Sequence, residues 1–391
     1  MKKTLALLLA ASMFASAFAA EFGGTLGESV EIYTNDFDPV AMEEKTKLTL
    51  FFRTPLGPSS YFVAEGKVAP TYDVNDISEF GDGDFLCPID LTLFKYAYSM
   101  KTGASSSLNI VAGRFGIVDA SGYILNLPAD ALSVSYNSQN IVAGGYVGYT
   151  GLQNGINTVL LNGDLDDVDN DYYFCSSPFL LGQASVTFPY LFLNQSLGVE
   201  GLCAIGTKGP NGDNTDYNRF YGTLSLAGVL GARKFYNLST TFGAEVIDGD
   251  FDKVSNLTQL SFTCYIPEFY DCQLTFSGVY ASGEQGPFAA FKGISSIESS
   301  FAMYAPDYSG LIKAGACATV KPMVNMLASL GADVIISCPD DSFEYAGVQV
   351  YGGLIYQIYT DLELGLSLHQ YIGDDDKDNE TSLTLGATLA F

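Results

Sequence analysis

The chain has 391 residues, 44 of them acidic against 18 basic, and a formal charge of −26. Phosphate backbones repel so acidic a protein, which excludes nucleic acid as a partner. A hydrophobic content of 48% with 13% aromatic residues excludes a disordered chain, so acid and apolar side chains must occupy separate places.

The chain opens MKKTLALLLAASMFASAFAA. Lys2 and Lys3 precede an apolar run from Leu5 to Phe14, and Ala17-Phe18-Ala19 supplies a small-x-small cleavage site. The run is well short of the ~20 residues that span a bilayer as a helix. The sequence therefore predicts a secretory signal peptide over 1–19 and a mature chain over 20–391. Beyond it, Asp, Glu, Asn, Thr, Ser or Gly interrupts every apolar stretch. A mature chain that enters a membrane must then do so as a closed barrel, in which every backbone group finds a partner.

Alternation of apolar and polar residues marks strands. In chain order it predicts segments 25–33, 45–53, 59–68, 89–100, 106–116, 130–136, 140–149, 180–189 and 196–206. It continues with 219–230, 236–247, 255–265, 271–282, 309–320, 325–337, 344–357, 361–370 and 380–391. The last is the clearest: Leu383, Leu385, Ala387, Leu389 and Phe391 share one face, and Ser382, Thr384, Gly386 and Thr388 the other. With the N-terminus placed in the periplasm, alternate connections are long and hold roughly thirty of the 44 acidic residues. The other connections are short and nearly free of acid, and hold Lys101, Arg233, Lys234 and Lys321. The expected fold is all-β: a single transmembrane antiparallel barrel of about 16–18 strands, with long extracellular loops and short periplasmic turns.

A barrel of that size is too wide for its own side chains to fill, so it should enclose water. Alternation places Lys47, Arg53, Glu65, Glu200, Glu245, Glu363 and His369 on the inward faces as pore-lining residues. An acidic mouth should favour cations, the more so for charges within a Debye length (~10 Å at 0.1 M salt) of the path.

Signal peptide, alternating strands and a final strand ending in Phe391 together resemble bacterial outer-membrane β-barrel proteins of the general porin class. The resemblance implies residence in the outer membrane, contact with its lipid, and recognition of the last strand by the barrel-assembly machinery. It also makes a homotrimer one assembly to consider. Ala112-Gly113-Arg114-Phe115-Gly116, followed by Ile117 to Asp130, looks like the approach to the porin loop that folds inward and narrows the pore. On that likeness Arg114, Asp119 and Asp130 are constriction candidates; an ordinary surface loop is the other reading. The chain departs from the class in having no Trp, which leaves the interface girdles to Tyr and Phe.

Little in the sequence points to catalysis. His369 is the only histidine, so any Ser-His or Cys-His arrangement must use it; a solvated lumen residue is the plainer reading, and no cofactor is implied. Acidic runs containing Asp164, Asp166 and Asp169, and Asp374 and Asp376, offer carboxylates to Ca²⁺. Neither run completes an EF-hand, and a solvated acidic loop explains them equally. Of seven cysteines, Cys264 and Cys272 are expected opposite each other across a turn centred on Glu268, as a disulfide or as two thiols against lipid.

The expected function is passive diffusion of small hydrophilic solutes or ions, with a preference for cations. The alternative is a structural or adhesive surface protein that displays its long acidic loops on a barrel platform.

Overall fold

The structure, a computed structural model, describes residues 20–35, 40–77, 83–150, 179–207, 217–247, 250–284, 286, 288–295, 308–340, 342–374 and 379–391. The expected signal peptide, 1–19, lies outside the described residues. Among the described residues, twenty strand segments form one antiparallel sheet. The first six are β1 (Glu21–Asn35), β2 (Val40–Gly57), β3 (Ser60–Val68), β4 (Thr71–Val74), β5 (Asp84–Leu86) and β6 (Ile89–Gly103). Then come β7 (Ser106–Val118), β8 (Asn126–Asn137), β9 (Val142–Tyr149), β10 (Phe179–Phe192), β11 (Gln195–Gly206), β12 (Tyr217–Gly231) and β13 (Lys234–Ile247). The last are β14 (Asp250–Ile266), β15 (Cys272–Ala281), β16 (Leu311–Met323), β17 (Met326–Ser337), β18 (Glu344–Gln357), β19 (Leu362–Gly373) and β20 (Glu380–Ala390).

Twenty segments make eighteen staves because prolines interrupt two of them. β2 pairs with β3 as far as Leu48 opposite Val68, then with β4 from Lys45 opposite Thr71. Between them lie Ala69 and Pro70, and Cys87 and Pro88 separate β5 from β6 in the same way. Proline has no N–H to give the ladder, so each stave breaks there. The carbonyls still serve: Thr46 N donates to Pro70 O, and Ala69 N to Pro88 O. Each of the eighteen predicted segments falls on one stave. The continuations β4 and β5 lie in a stretch the sequence marks as loop, because four and three residues are too few to show alternation.

The sheet closes on itself. β1 pairs with β20 from Thr25 opposite Ala390 to Asn35 opposite Glu380, and Phe391 exchanges backbone hydrogen bonds with Gly24. Closure removes the unpaired edges that no strand can expose to hydrocarbon. Outward residues then read as a lipid-facing band: Phe94, Leu132, Val147, Phe242, Leu260, Leu330 and Leu385 are each more than half exposed. Apolar area on that scale is stable against acyl chains and not against water.

Inward, glycines let aromatic rings lie flat against the wall. A Cβ on Gly331 would collide with the ring of Tyr351, the residue opposite it, and one on Gly243 would stand 3.1 Å from that of Tyr221, also opposite. Such cross-strand pairs cover the glycine backbone and pin the register.

One expected register is wrong by two residues. Cys264 faces Leu274, and Cys272 faces Ile266, so the two cysteines do not meet; both are free thiols. The turn is centred one residue later than Glu268, with Tyr270 and Asp271 in the left-handed region (φ 51° and 50°). A turn with two such non-glycine residues has no sequence signature.

Candidate functional site

Two stretches that connect strands at the extracellular end turn inward and pack on the barrel wall. The first is 119–125, between β7 and β8. Ile117, Ile124, Leu125 and Leu127 supply its apolar side, and Ile124 and Leu125 are fully buried against inward residues such as Phe179, Leu181 and Leu202. Burying each such side chain contributes about 1.5–3 kcal/mol, enough to draw the segment in from solvent.

Its shape comes from Asp119. The carboxylate accepts backbone N–H bonds from Ser121 (2.7 Å), Ile124 (3.0 Å) and Leu125 (2.9 Å), and a bond from the Ser121 hydroxyl. Two wall residues then hold the tip. Glu200 accepts from Ala120 N at 2.9 Å and from Gln183 at 2.7 Å, while Gln259 donates to Ser121 O at 3.4 Å. Glu200 and Gln259 lie mid-strand in β11 and β14, so the segment reaches the middle of the barrel.

The second inward stretch lies between β15 and β16, described over 282–284, 286, 288–295 and 308–310. Phe291 and Ile294 are its buried apolar residues. Arg219, 1% exposed, anchors it: Nε donates to Glu245 at 2.8 Å, and Nη1 to Gly293 O at 2.7 Å. Lys292 reaches the other Glu245 oxygen at 3.3 Å, and the Tyr221 hydroxyl donates to Lys292 O.

The two stretches bind each other. Ile294 N (2.7 Å) and Ser295 N (3.2 Å) both donate to Ile124 O, and Asn126 N donates to the Ser295 hydroxyl at 2.9 Å. The rings of Tyr123 and Tyr308 meet edge to face at 4.7 Å, and Lys313 donates to the Tyr308 hydroxyl at 2.8 Å. The result is a bridged insert lying against the side of the wall formed by β7 to β17.

Burial is the main cause that pushes Tyr123 and Tyr308 each up to about 12. A raised pKa favours the neutral phenol in the folded protein. Its contribution is complete below the ordinary value of 10 and is lost as pH rises through 12. Single-channel conductance is therefore expected to hold steady from pH 7 to 9 and to rise and become noisy between pH 10 and 12. Tyr123→Phe and Tyr308→Phe together should flatten that rise.

The predicted residues separate into three groups. Glu200 and Glu245 hold the insert. Lys47, Arg53, Glu65, Glu363 and His369 sit on inward strand positions away from it. Among these, Arg53 lies 4.7 Å over the Tyr61 ring and 3.7 Å from Glu21, and Glu65 accepts from Thr92 at 2.6 Å. His369 stands opposite Tyr351 and Ser382, and Lys47 and Glu363 are exposed.

The third group departs from expectation. Arg114 and Asp130 face each other across β7 and β8 as an ion pair at 3.0 Å, on the same face as Leu132 and Val134, which is the outward one. Parity decides this, since Phe115 and Ile117 take the inward positions. Asp119 is 4% exposed and spends its carboxylate on the insert's own backbone, so it shapes the insert without presenting charge to a solute. Asp164, Asp166, Asp169 and Asp376 lie outside the described residues; Asp374, at the end of β19, donates its backbone N–H to Ala346 O.

Sequence reasoning missed Arg219, Lys292, Tyr123, Tyr308 and the 288–295 stretch. A signal existed for Arg219, because it and Glu245 are opposite charges at inward positions of one hairpin. The pairing needs a register two residues from the one the alternation gives. Nothing marked 288–295 as inward.

No family model and no curated protein matches the sequence. Solved structures do match in fold. Pseudomonas aeruginosa OccK5 (OpdH) superposes with a TM-score of 0.62 at 10% identity, covering 95% of this chain and 98% of that one. Acinetobacter baumannii OccAB1 gives 0.62 at 10% identity, covering 95% and 97%. Pseudomonas aeruginosa OpdK, in a structure with vanillate, gives 0.60 at 10% identity over 95% and 99%. At such identity the likeness is one of fold: the chain is an outer-membrane-type barrel of eighteen strands.

Proposed function

We propose that the chain is an outer-membrane channel for passive diffusion of small hydrophilic solutes, preferring cations. The insert carries this reading: a wall of eighteen strands encloses more space than its side chains occupy. The insert takes up one side of that space, against β7 to β17. On the other side Glu31, Lys45, Lys47, Glu65 and Lys67 stay half-buried or exposed on inward positions of β1 to β3, charges that water must reach. The similar solved barrels, one of them holding vanillate, are consistent with small-solute passage.

Cation preference rests on the mouth more than on the lumen. Inward charges are largely balanced, as in Lys45 with Glu43 at 3.2 Å and Glu245 with Arg219 and Lys292. The chain's charge of −26 is carried mainly by the extracellular connections. Reversal potentials across planar bilayers in a KCl gradient are expected to show cation preference at low salt that fades as salt screens the mouth. Anion preference at low salt defeats this part of the reading.

Export by the 1–19 signal peptide, assembly through the strand ending at Phe391, and trimer formation belong to the same proposal. Exposure of the Phe391 side chain, 61%, suits recognition of the last strand. The rival is a platform whose insert plugs the lumen. Swelling of proteoliposomes in small sugars separates the two, since a plugged barrel passes none.

A further inference from the structure

The eight short turns form a rim of two unlike halves. Three successive turns, β2–β3, β6–β7 and β8–β9, carry Pro58, Ser59, Ala104, Ser105, Ser138 and Gln139, with Leu56 the one large apolar side chain more than half exposed. The five that follow, from β10–β11 to β18–β19, carry Leu193 (86% exposed), Leu230, Phe269, Tyr270, Val324 (105%) and Tyr359, each at least 59% exposed.

Backbone geometry shows that these tips are not incidental. Leu193 and Tyr270 hold left-handed conformations (φ 46° and 51°), which an ordinary side chain adopts only at a cost and where Asn or Gly is usual. The turns are also tied together sideways: Tyr265 N donates to Arg233 O, Lys321 N to Tyr270 O, and Gln357 N to Asn325 O. The apolar tips thus make one continuous arc.

We propose that this arc is an anchor that dips into the phospholipid headgroup layer of the inner leaflet, while the polar half of the rim stays in water. Three observations select lipid as the occupant. The arc is continuous with the lipid-facing wall, where Leu260, Phe276 and Leu364 lie directly above it. Aromatic side chains form girdles at the interfaces of transmembrane barrels, and Phe269, Tyr270 and Tyr359 lie exposed on the arc. Charge on the arc is balanced in a chain that is otherwise strongly acidic: Arg233, Lys234 and Lys321 stand against Glu268, Asp271 and Asp361, with Arg233 and Glu268 paired at 2.6 Å. One-sided anchoring tilts the barrel toward β10–β19, with the polar turns lifted away from the bilayer.

The absence of Trp makes the test direct. Leu193→Trp, Val324→Trp, Ser105→Trp and Gln139→Trp are each inserted singly into phosphatidylethanolamine–phosphatidylglycerol vesicles, with and without acyl chains brominated near the carbonyl. The first two are expected to emit to the blue and to be quenched by bromolipid several-fold more than the other two, which aqueous acrylamide should quench instead. Acrylamide quenching of Leu193→Trp and Val324→Trp as strong as that of the polar-half variants overturns the proposal. So does equal bromolipid quenching of all four, which would mean a level rim. All substitutions lie at exposed turn tips, and conductance of each variant reports that the barrel has formed.

Discussion

Asp119→Ala is expected to raise single-channel conductance and to replace a steady open level with a fluctuating one. The carboxylate gathers the backbone N–H groups of Ser121, Ile124 and Leu125, and it is almost fully buried. Alanine leaves those donors without their acceptor, and each buried unsatisfied donor costs about 1–3 kcal/mol. The segment cannot pass that cost on by rearranging in place, because Ile124 and Leu125 are wedged against the wall. It must open locally, taking with it the Ile124 carbonyl that holds Ile294 and Ser295. Wall strands keep their own ladders, so the barrel itself should melt where it did before. Asp119→Asn, which keeps one acceptor oxygen, should fall between. A conductance trace identical to wild type in planar bilayers sinks the idea that 119–125 narrows the pore.

The variant also shows where the sequence stops being informative. Strand existence and face were legible because lipid imposes a strict period of two: Leu383, Leu385 and Leu389 must all point outward or the strand cannot stay in the membrane. Loop placement has no such period. For 117–130 the sequence leaves two readings open, an inward loop by resemblance to porins and an ordinary surface loop, and only the buried wall against Ile124 and Leu125 shows why the stretch turns inward. Register was readable to within two residues, which mattered twice. It put Cys264 opposite Cys272 when Leu274 stands there, and it hid the pairing of Arg219 with Glu245. Arg114 and Asp130 were misplaced for a different reason. The likeness of 112–130 to the approach of a pore-narrowing loop points these two side chains inward, whereas parity points them outward, because Phe115 and Ile117 take the inward positions of β7.

Arg219→Ala is expected to release the second half of the insert and expose Lys292 to trypsin. Arg219 is fully buried, and it holds two unlike partners, the Glu245 carboxylate and the Gly293 carbonyl. Removing one member of a buried ion pair typically costs 3–5 kcal/mol, because the remaining charge stays desolvated. Lys292, at 3.3 Å, compensates part of the Glu245 charge but not the lost carbonyl bond. A cost of about 3 kcal/mol raises the population of locally opened insert on the order of a hundredfold. The peptide bond after Lys292 should then be cut in vesicle-inserted Arg219→Ala at trypsin concentrations that leave wild type intact. Removing both charges, as Arg219→Met with Glu245→Leu, should restore much of the resistance, since no buried charge is left alone. If Lys292 stays uncut in Arg219→Ala, the hydrogen bonds to Gly293 and Glu245 are not what holds 288–295 inside, and the apolar contacts of Phe291 and Ile294 must suffice.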